Sequence, residues 1–408
     1  MSVGPSQRAS ELSMKILKVA SNLGLIVVLI WFLVAHQKTI RAGSSKRDSI
    51  AYWAAGELLV HHQNPYSVPD VLALQRSQGY VGQKPLMMRP MPWSVWIFLP
   101  LGVLSVYWGW VVWTAILVAC LVLSVRVCWR LYGNQPKPPA AFTLAAYLFA
   151  PVAGCLVGGA MGMVLLLGIA LFLYLEPDHP LWAGVALLIP MAKPHIFGLL
   201  WPILAVWILT RRKWSVLGGA ASALAVASGV ALAFDPHIFQ HYRAMMYDQA
   251  IQNEFIPAFS GMIRVLFFRR FFWAQFVPLA LGFAWSAGYY WHNRLEWNWR
   301  VHGPAILVVS LLTTPYAWMT DEVVLLPAIL QSVLWLHQEK LKVRSQLVLL
   351  FIVCLNFLLL LILQAKVPPS TGIYFWSSLV WFGWYWYARS FRSSREAVRQ
   401  PSRDLVQV

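Results

Sequence analysis

The sequence predicts an all-α, polytopic transmembrane protein of about twelve spans, and three observations carry that prediction. Of its 408 residues, 59% are hydrophobic and only 12% are charged, about half the charged share of an ordinary soluble domain. Apolar runs long enough to cross a bilayer recur along the chain. The Lys and Arg residues, which give a formal net charge of +17, gather at the ends of those runs: Arg211-Arg212-Lys213, residues 340–344, and the tail from residue 389. That distribution belongs to loops held on the cytoplasmic face and touching anionic membrane lipid. It is not the continuous basic stripe of a nucleic-acid binder, so no nucleic-acid partner is expected. The four cysteines lie within apolar stretches and suggest neither a disulfide framework nor a zinc site.

Residues 16–35 follow Lys15, are long enough to span, and show no clear cleavage site, so they read as a retained first helix with a cytoplasmic N-terminus. Residues 37–90 then form a large extracytoplasmic loop. Within it, residues 48–61 read as an amphipathic helix, with Ile50, Trp53, Ala54, Leu58 and Val60 toward the membrane surface. Asn64-Pro65-Tyr66 breaks that helix. Residues 93–131 suffice for two spans with a turn near 104–108. In residues 140–174, Pro151 and Gly158-Gly159-Ala160-Met161-Gly162 divide the apolar run into two helices or a re-entrant pair. Residues 181–209 read as one span interrupted by Pro190 and Lys193-Pro194-His195.

Residues 214–234 return outward to a second extracytoplasmic loop, 235–271. Further spans follow near 272–291, 301–313, 323–336, 347–363 and 374–387. Residues 1–388 thus form one membrane domain of twelve spans, with ten or eleven as alternatives, and 389–408 a disordered basic cytoplasmic tail. A multi-pass protein of the plasma (inner) membrane is expected, with both termini cytoplasmic. In this count Glu176 and Asp178 fall outside. So does the link carrying Arg130 and Lys137, against the positive-inside rule.

Only 15 residues are Asp or Glu, so candidates for acid–base work are few. Asp48 and Asp321 stand out because each lies at a membrane boundary beside aromatic residues, Tyr52 and Trp53 for the first, Tyr316 and Trp318 for the second. The plainer role for Asp48 is to cap its helix, and for Asp321 to cap the following span. Lys193 beside Pro194 is costly in a membrane helix unless it faces a polar cavity or an anion, although a snorkelling side chain is the simpler account. Lys193, Arg89 and Arg264 are candidate cations for a phosphate. His195 sits beside Lys193 in that interrupted segment. His237 and His241, at i and i+4, are a weak metal signal. No phosphate loop, G-x-S-x-G elbow, H-E-x-x-H or Asp-x-Asp pair is present. A donor with a long lipid tail needs none of these.

The order of five stretches resembles glycosyltransferase family 87, of the GT-C superfold. They are residues 48–66, residues 90–104, residues 151–175, Ala192-Lys193-Pro194-His195 with Arg211-Arg212-Lys213-Trp214, and Thr314-Pro315-Tyr316-Ala317-Trp318 with Asp321. The resemblance implies an inverting hexosyltransferase that moves a sugar, commonly mannose, from a polyprenyl phosphate to a glycan or glycolipid acceptor on the extracytoplasmic face. It also implies that Asp48 is the general base. No metal or other cofactor is expected, the lipid-phosphate sugar being a substrate. Tyr52, Trp53, Tyr316 and Trp318 are expected to stack on sugar, or else to belong to an interfacial aromatic belt. Two positions depart from the family's habit: Gly159-Ala160 where Gly-Gln is common, and Met88-Arg89-Pro90 where Tyr-x-Pro is common. The rival class is a transporter or lipid-linked-sugar flippase built on broken midplane helices, and a non-catalytic scaffold is the third.

Overall fold

A computed structural model of the chain describes residues 48–133, 135–248, 258–338 and 376–399. The expected spans at 16–35 and 347–363, the basic loop 340–344 and the end of the tail lie outside the described residues. Those described are helical, with no strand among them. Among the described residues, four helices are long and apolar enough to cross a membrane: Val106–Tyr132, Ala140–Gly158, Trp214–Phe234 and Met319–Leu336.

Helix α1 (Asp48–Val60) is rich in alanine, and its single acidic residue in the first turn, Asp48, suits the positive end of the helix dipole. It ends where His62 turns left-handed and the Asn64 side chain accepts from Tyr66 N–H at 2.9 Å, before Pro65 can extend. It is not a surface helix. Ten of its thirteen residues are buried, on every side. The cause is a close crossing with the short helix α3 (Leu99–Gly102), which follows α2 (Val68–Ser77). A Cβ on Gly56 or Gly102 would strike the other helix's backbone, so the two approach as only glycines allow.

The stretch expected to hold two spans holds one. Pro92–Ile97 forms a 3-10 turn that, with α3, runs into a single long helix, α4 (Val106–Tyr132). Helices α5 (Ala140–Tyr147) and α6 (Ala150–Gly158) together make the return crossing, and α7 (Gly162–Leu175) descends again. The chain turns between α6 and α7 at Gly159, whose φ of +69° is left-handed. That is the glycine break read from the sequence.

Residues 180–211 are a hairpin. The first arm is Pro180–Ala192, which includes α8 (Pro180–Ala186); the second is α9 (Leu200–Arg211). Both arms end on one face, where Glu176 pairs with Lys213 at 3.0 Å and Arg211 reaches the carbonyls of Arg294 and Leu295. Asp178 and the Tyr174 carbonyl meet Arg300 there, and Tyr132 lies within electrostatic reach of that same arginine. Glu176 and Asp178 therefore share a face with Arg211–Lys213 and are not opposite it. Losing one crossing before residue 132 also moves the Arg130 and Lys137 link to this basic face, which removes the conflict with the positive-inside rule.

Helix α10 (Trp214–Phe234) climbs from the basic face. The second loop is itself largely helical, with α11 (Ile238–Asp248) and α12 (Phe259–Phe267). Helix α13 (Val277–Asn293) descends, α14 (Trp299–Thr313) rises, and α15 (Leu326–Gln338) descends from a 3-10 turn at Met319–Leu325. Helix α16 (Ser377–Arg399) starts where Ser377 donates to the Glu322 carboxylate. It extends through Arg399, so the tail expected to be disordered from residue 389 begins as helix.

Candidate active site

Opposite the basic face, the apex of the 180–211 hairpin is pinned from two sides. From the chain re-entering after the first loop, Met91 N–H donates to the Ala192 carbonyl (2.9 Å) and Trp93 Nε1 to that of Met191 (3.1 Å). From the end of α14, Ser310 Oγ donates to the Ile196 carbonyl (2.9 Å) and Thr314 Oγ1 to that of His195 (2.9 Å). Prolines 190 and 194 prevent a continuous helix here, and these bonds satisfy carbonyls the break sets free. The result is a fixed platform for Lys193.

Lys193 Nζ lies 2.8 Å from Asp321 Oδ1, with the carboxylate side chain only 2% exposed. The other oxygen, Oδ2, accepts from Trp318 N–H at 3.0 Å. Asp321 thus does cap its turn, as the plainer reading had it, and it also neutralises a buried cation. Lys193 does not snorkel. The two residues line a cavity of about 370 Å³ together with Arg89, His195, Tyr316 and Trp318. Sequence reasoning named all six. The structure adds Tyr242, Met246 and Tyr247 from α11 in the second loop, and Phe272 just after it.

Asp48 opens α1 beside the cavity, reachable by solvent although protein closely surrounds its carboxyl, and is not among the lining residues. Protein packed around its carboxyl raises the pKa, the cations of Lys193 and Arg89 oppose that rise, and Asp321 adds to it. Four charged groups, two of each sign, therefore share one electrostatic neighbourhood. The turn at Gly159 supports the base from below: a Cβ there would lie 2.9 Å from Ser49 Cβ and 3.0 Å from its amide nitrogen. Gly159→Ala is expected to cost about 1–2 kcal/mol for the left-handed backbone alone and to displace the first turn of α1. Thermal unfolding and the transfer rate should both fall, and an unchanged rate would detach this turn from the site.

The remaining candidates do not line the cavity. Tyr52 stacks on Phe98 (4.5 Å between centroids) and meets Trp113 edge-on, while Trp53 donates Nε1–H to the Leu104 carbonyl at 2.9 Å. Both are buried, because the α1–α3 crossing turns them inward, and neither lines the cavity, but the Tyr52 hydroxyl lies within electrostatic reach of Asp48 and Asp321. Arg264 lies over the Phe272 ring at 5.5 Å and within electrostatic reach of Tyr316, one layer behind the cavity wall. His237 and His241 stand 6.1 Å apart, and His241 Nδ1 is bound to Asp235 Oδ2 at 2.7 Å. Among the described residues, no three His, Cys, Asp or Glu side chains group as a metal site.

No curated protein and no solved structure matches the chain. The profile of glycosyltransferase family 87 matches residues 91–338, more than half of the sequence. The match takes in Lys193, His195, Tyr316, Trp318 and Asp321 and leaves Asp48 and Arg89 before its start. The chain is a membrane glycosyltransferase: it belongs to glycosyltransferase family 87.

Proposed function

We infer that this enzyme transfers a hexose, mannose in the first instance, from a polyprenyl phosphate to a glycan or glycolipid acceptor, with inversion. The observation that supports it best is the cavity lined by Lys193, Arg89 and Asp321 with Asp48 within electrostatic reach of all three. In this reading the fold is a twelve-span GT-C domain whose cavity opens on the extracytoplasmic side of the plasma membrane.

The acceptor hydroxyl oxygen attacks the anomeric carbon as the bond from that carbon to the phosphate oxygen breaks. Its proton passes to Asp48. The phosphate leaves with its electron pair and needs no proton, and Lys193 and Arg89 balance the charge that develops on it. Asp321 is unsuited to be the base, since both of its oxygens are already engaged. It holds Lys193 in place. A raised pKa makes Asp48 a stronger base than an ordinary carboxylate, and its helix-tip position leaves it open to an acceptor. Tyr316 and Trp318 offer ring faces to sugar in the cavity, and Trp318 is 39% exposed.

The test is donor choice in washed membranes that contain the protein. Polyprenyl-phosphate mannose labelled in the sugar should yield labelled glycan or glycolipid, and a nucleotide-linked mannose should not when lipid-carrier loading is blocked. Direct use of the nucleotide donor would overturn the reading. A product of retained anomeric configuration would remove the single-displacement mechanism.

A further inference from the structure

A second cavity lies away from the hairpin apex, toward the basic face. It is a cleft of about 650 Å³ between α9 and α13, lined by Ile203, Val206, Phe283 and Ala287 along its length and by Arg211 and Arg294 at one end. The two helices run parallel: Thr210 Oγ1 meets Tyr290 OH at 3.2 Å, and Arg211 reaches the carbonyls just past the end of α13. The cleft is therefore polarised, apolar toward the middle of the protein and cationic at the basic face.

We propose that this cleft binds a phospholipid with an anionic headgroup, its acyl chain in the apolar trough and its phosphate at Arg211 and Arg294. Arg211 uses one nitrogen, Nη2, on the carbonyls of Arg294 and Leu295, and Arg294 uses Nη1 on that of Trp291. Neither guanidinium has a carboxylate partner among the described residues, although Lys213 and Arg300 on the same face do. The Arg294 guanidinium lies 3.9 Å from the Trp291 ring centroid, a contact that restrains it at the mouth of the cleft. A trough ending in unpaired planar cations at the level of basic loops complements an anionic lipid, and a neutral zwitterionic one far less. The site stands apart from the transferase reading and requires only that the protein sit in a bilayer.

The experiment is native mass spectrometry of the detergent-purified full chain offered equal amounts of phosphatidylglycerol and phosphatidylcholine. Wild type should retain phosphatidylglycerol by about fivefold per engaged arginine. Arg294→Gln keeps the backbone carbonyl that Arg211 holds and should lose about fivefold of that preference. Ala287→Phe, which fills the trough and spares the charges, should reduce retention of both lipids. Equal retention of the two lipids by wild type would overturn the proposal. So would a preference unchanged in Arg294→Gln, or co-purification of a prenyl lipid that phosphatidylglycerol fails to displace.

Discussion

Replacing Asp48 by Asn should lower transfer by about 10²–10⁴-fold, the range a positioned general base contributes, while the protein still folds and inserts. Asparagine keeps the shape at the tip of α1 and removes only the ability to take a proton. Asp321→Asn in the same assay separates the two carboxylates, because loss there should come with loss of stability. The wild-type pH profile carries the second half of the expectation. A base must be ionised to act, and burial raises the Asp48 pKa above its ordinary value while Lys193 and Arg89 only partly offset this. kcat/KM should therefore be full at high pH and fall as pH drops through a pKa higher than that of a free aspartate. Asp48→Asn should lack this limb. A residual limb at the same pH, or wild-type transfer by Asp48→Asn, would assign the base elsewhere.

Lys193→Met should be damaging twice over. It removes a cation expected at the departing phosphate, and it strands the carboxylate of Asp321, only 2% exposed, without its partner. Breaking one side of a buried pair costs about 3–5 kcal/mol, whereas removing both charges is often neutral. The double variant Lys193→Met with Asp321→Asn should thus recover most of the unfolding temperature lost by Lys193→Met and none of the transfer activity. Recovery of both together would make the pair a purely structural clamp. Failure to recover either would mean that the platform depends on the charges themselves.

The sequence exposes those parts of the fold that rest on local chemistry. The glycine break at 158–162 and the long helix 214–234 follow from composition and from glycine stereochemistry, and both are found. The proline break at Lys193 is found too, but it folds the expected single span 181–209 back into a hairpin. The inward direction of Tyr52 and Trp53 does not follow from α1 alone. It depends on Gly56 meeting Gly102, two glycines 46 positions apart whose crossing no periodicity announces. The single crossing at 106–132 has a similar cause: hydropathy registers the length of an apolar run but not the 3-10 turn and the short helix α3 that use up its first third. In the site, charged residues were legible because charge at membrane depth is expensive. Tyr242, Met246 and Tyr247 were not, being on a polar amphipathic helix in a loop, where aromatic residues are ordinary.

The hairpin's short arms have a consequence for how a substrate arrives. An arm of 13 residues, Pro180–Ala192, rises about 20 Å at 1.5 Å per residue, against a hydrocarbon slab about 30 Å thick. An arm that starts at the basic edge and runs along the bilayer normal would leave Lys193 about 10 Å short of the opposite edge of the hydrocarbon. A carrier lipid already threaded through that leaflet can present its phosphate by drifting sideways, with its tail never leaving hydrocarbon. A water-borne sugar would instead have to descend. If the donor is the lipid-borne sugar proposed above, helix length alone would favour it over a water-borne one before any side chain touches either.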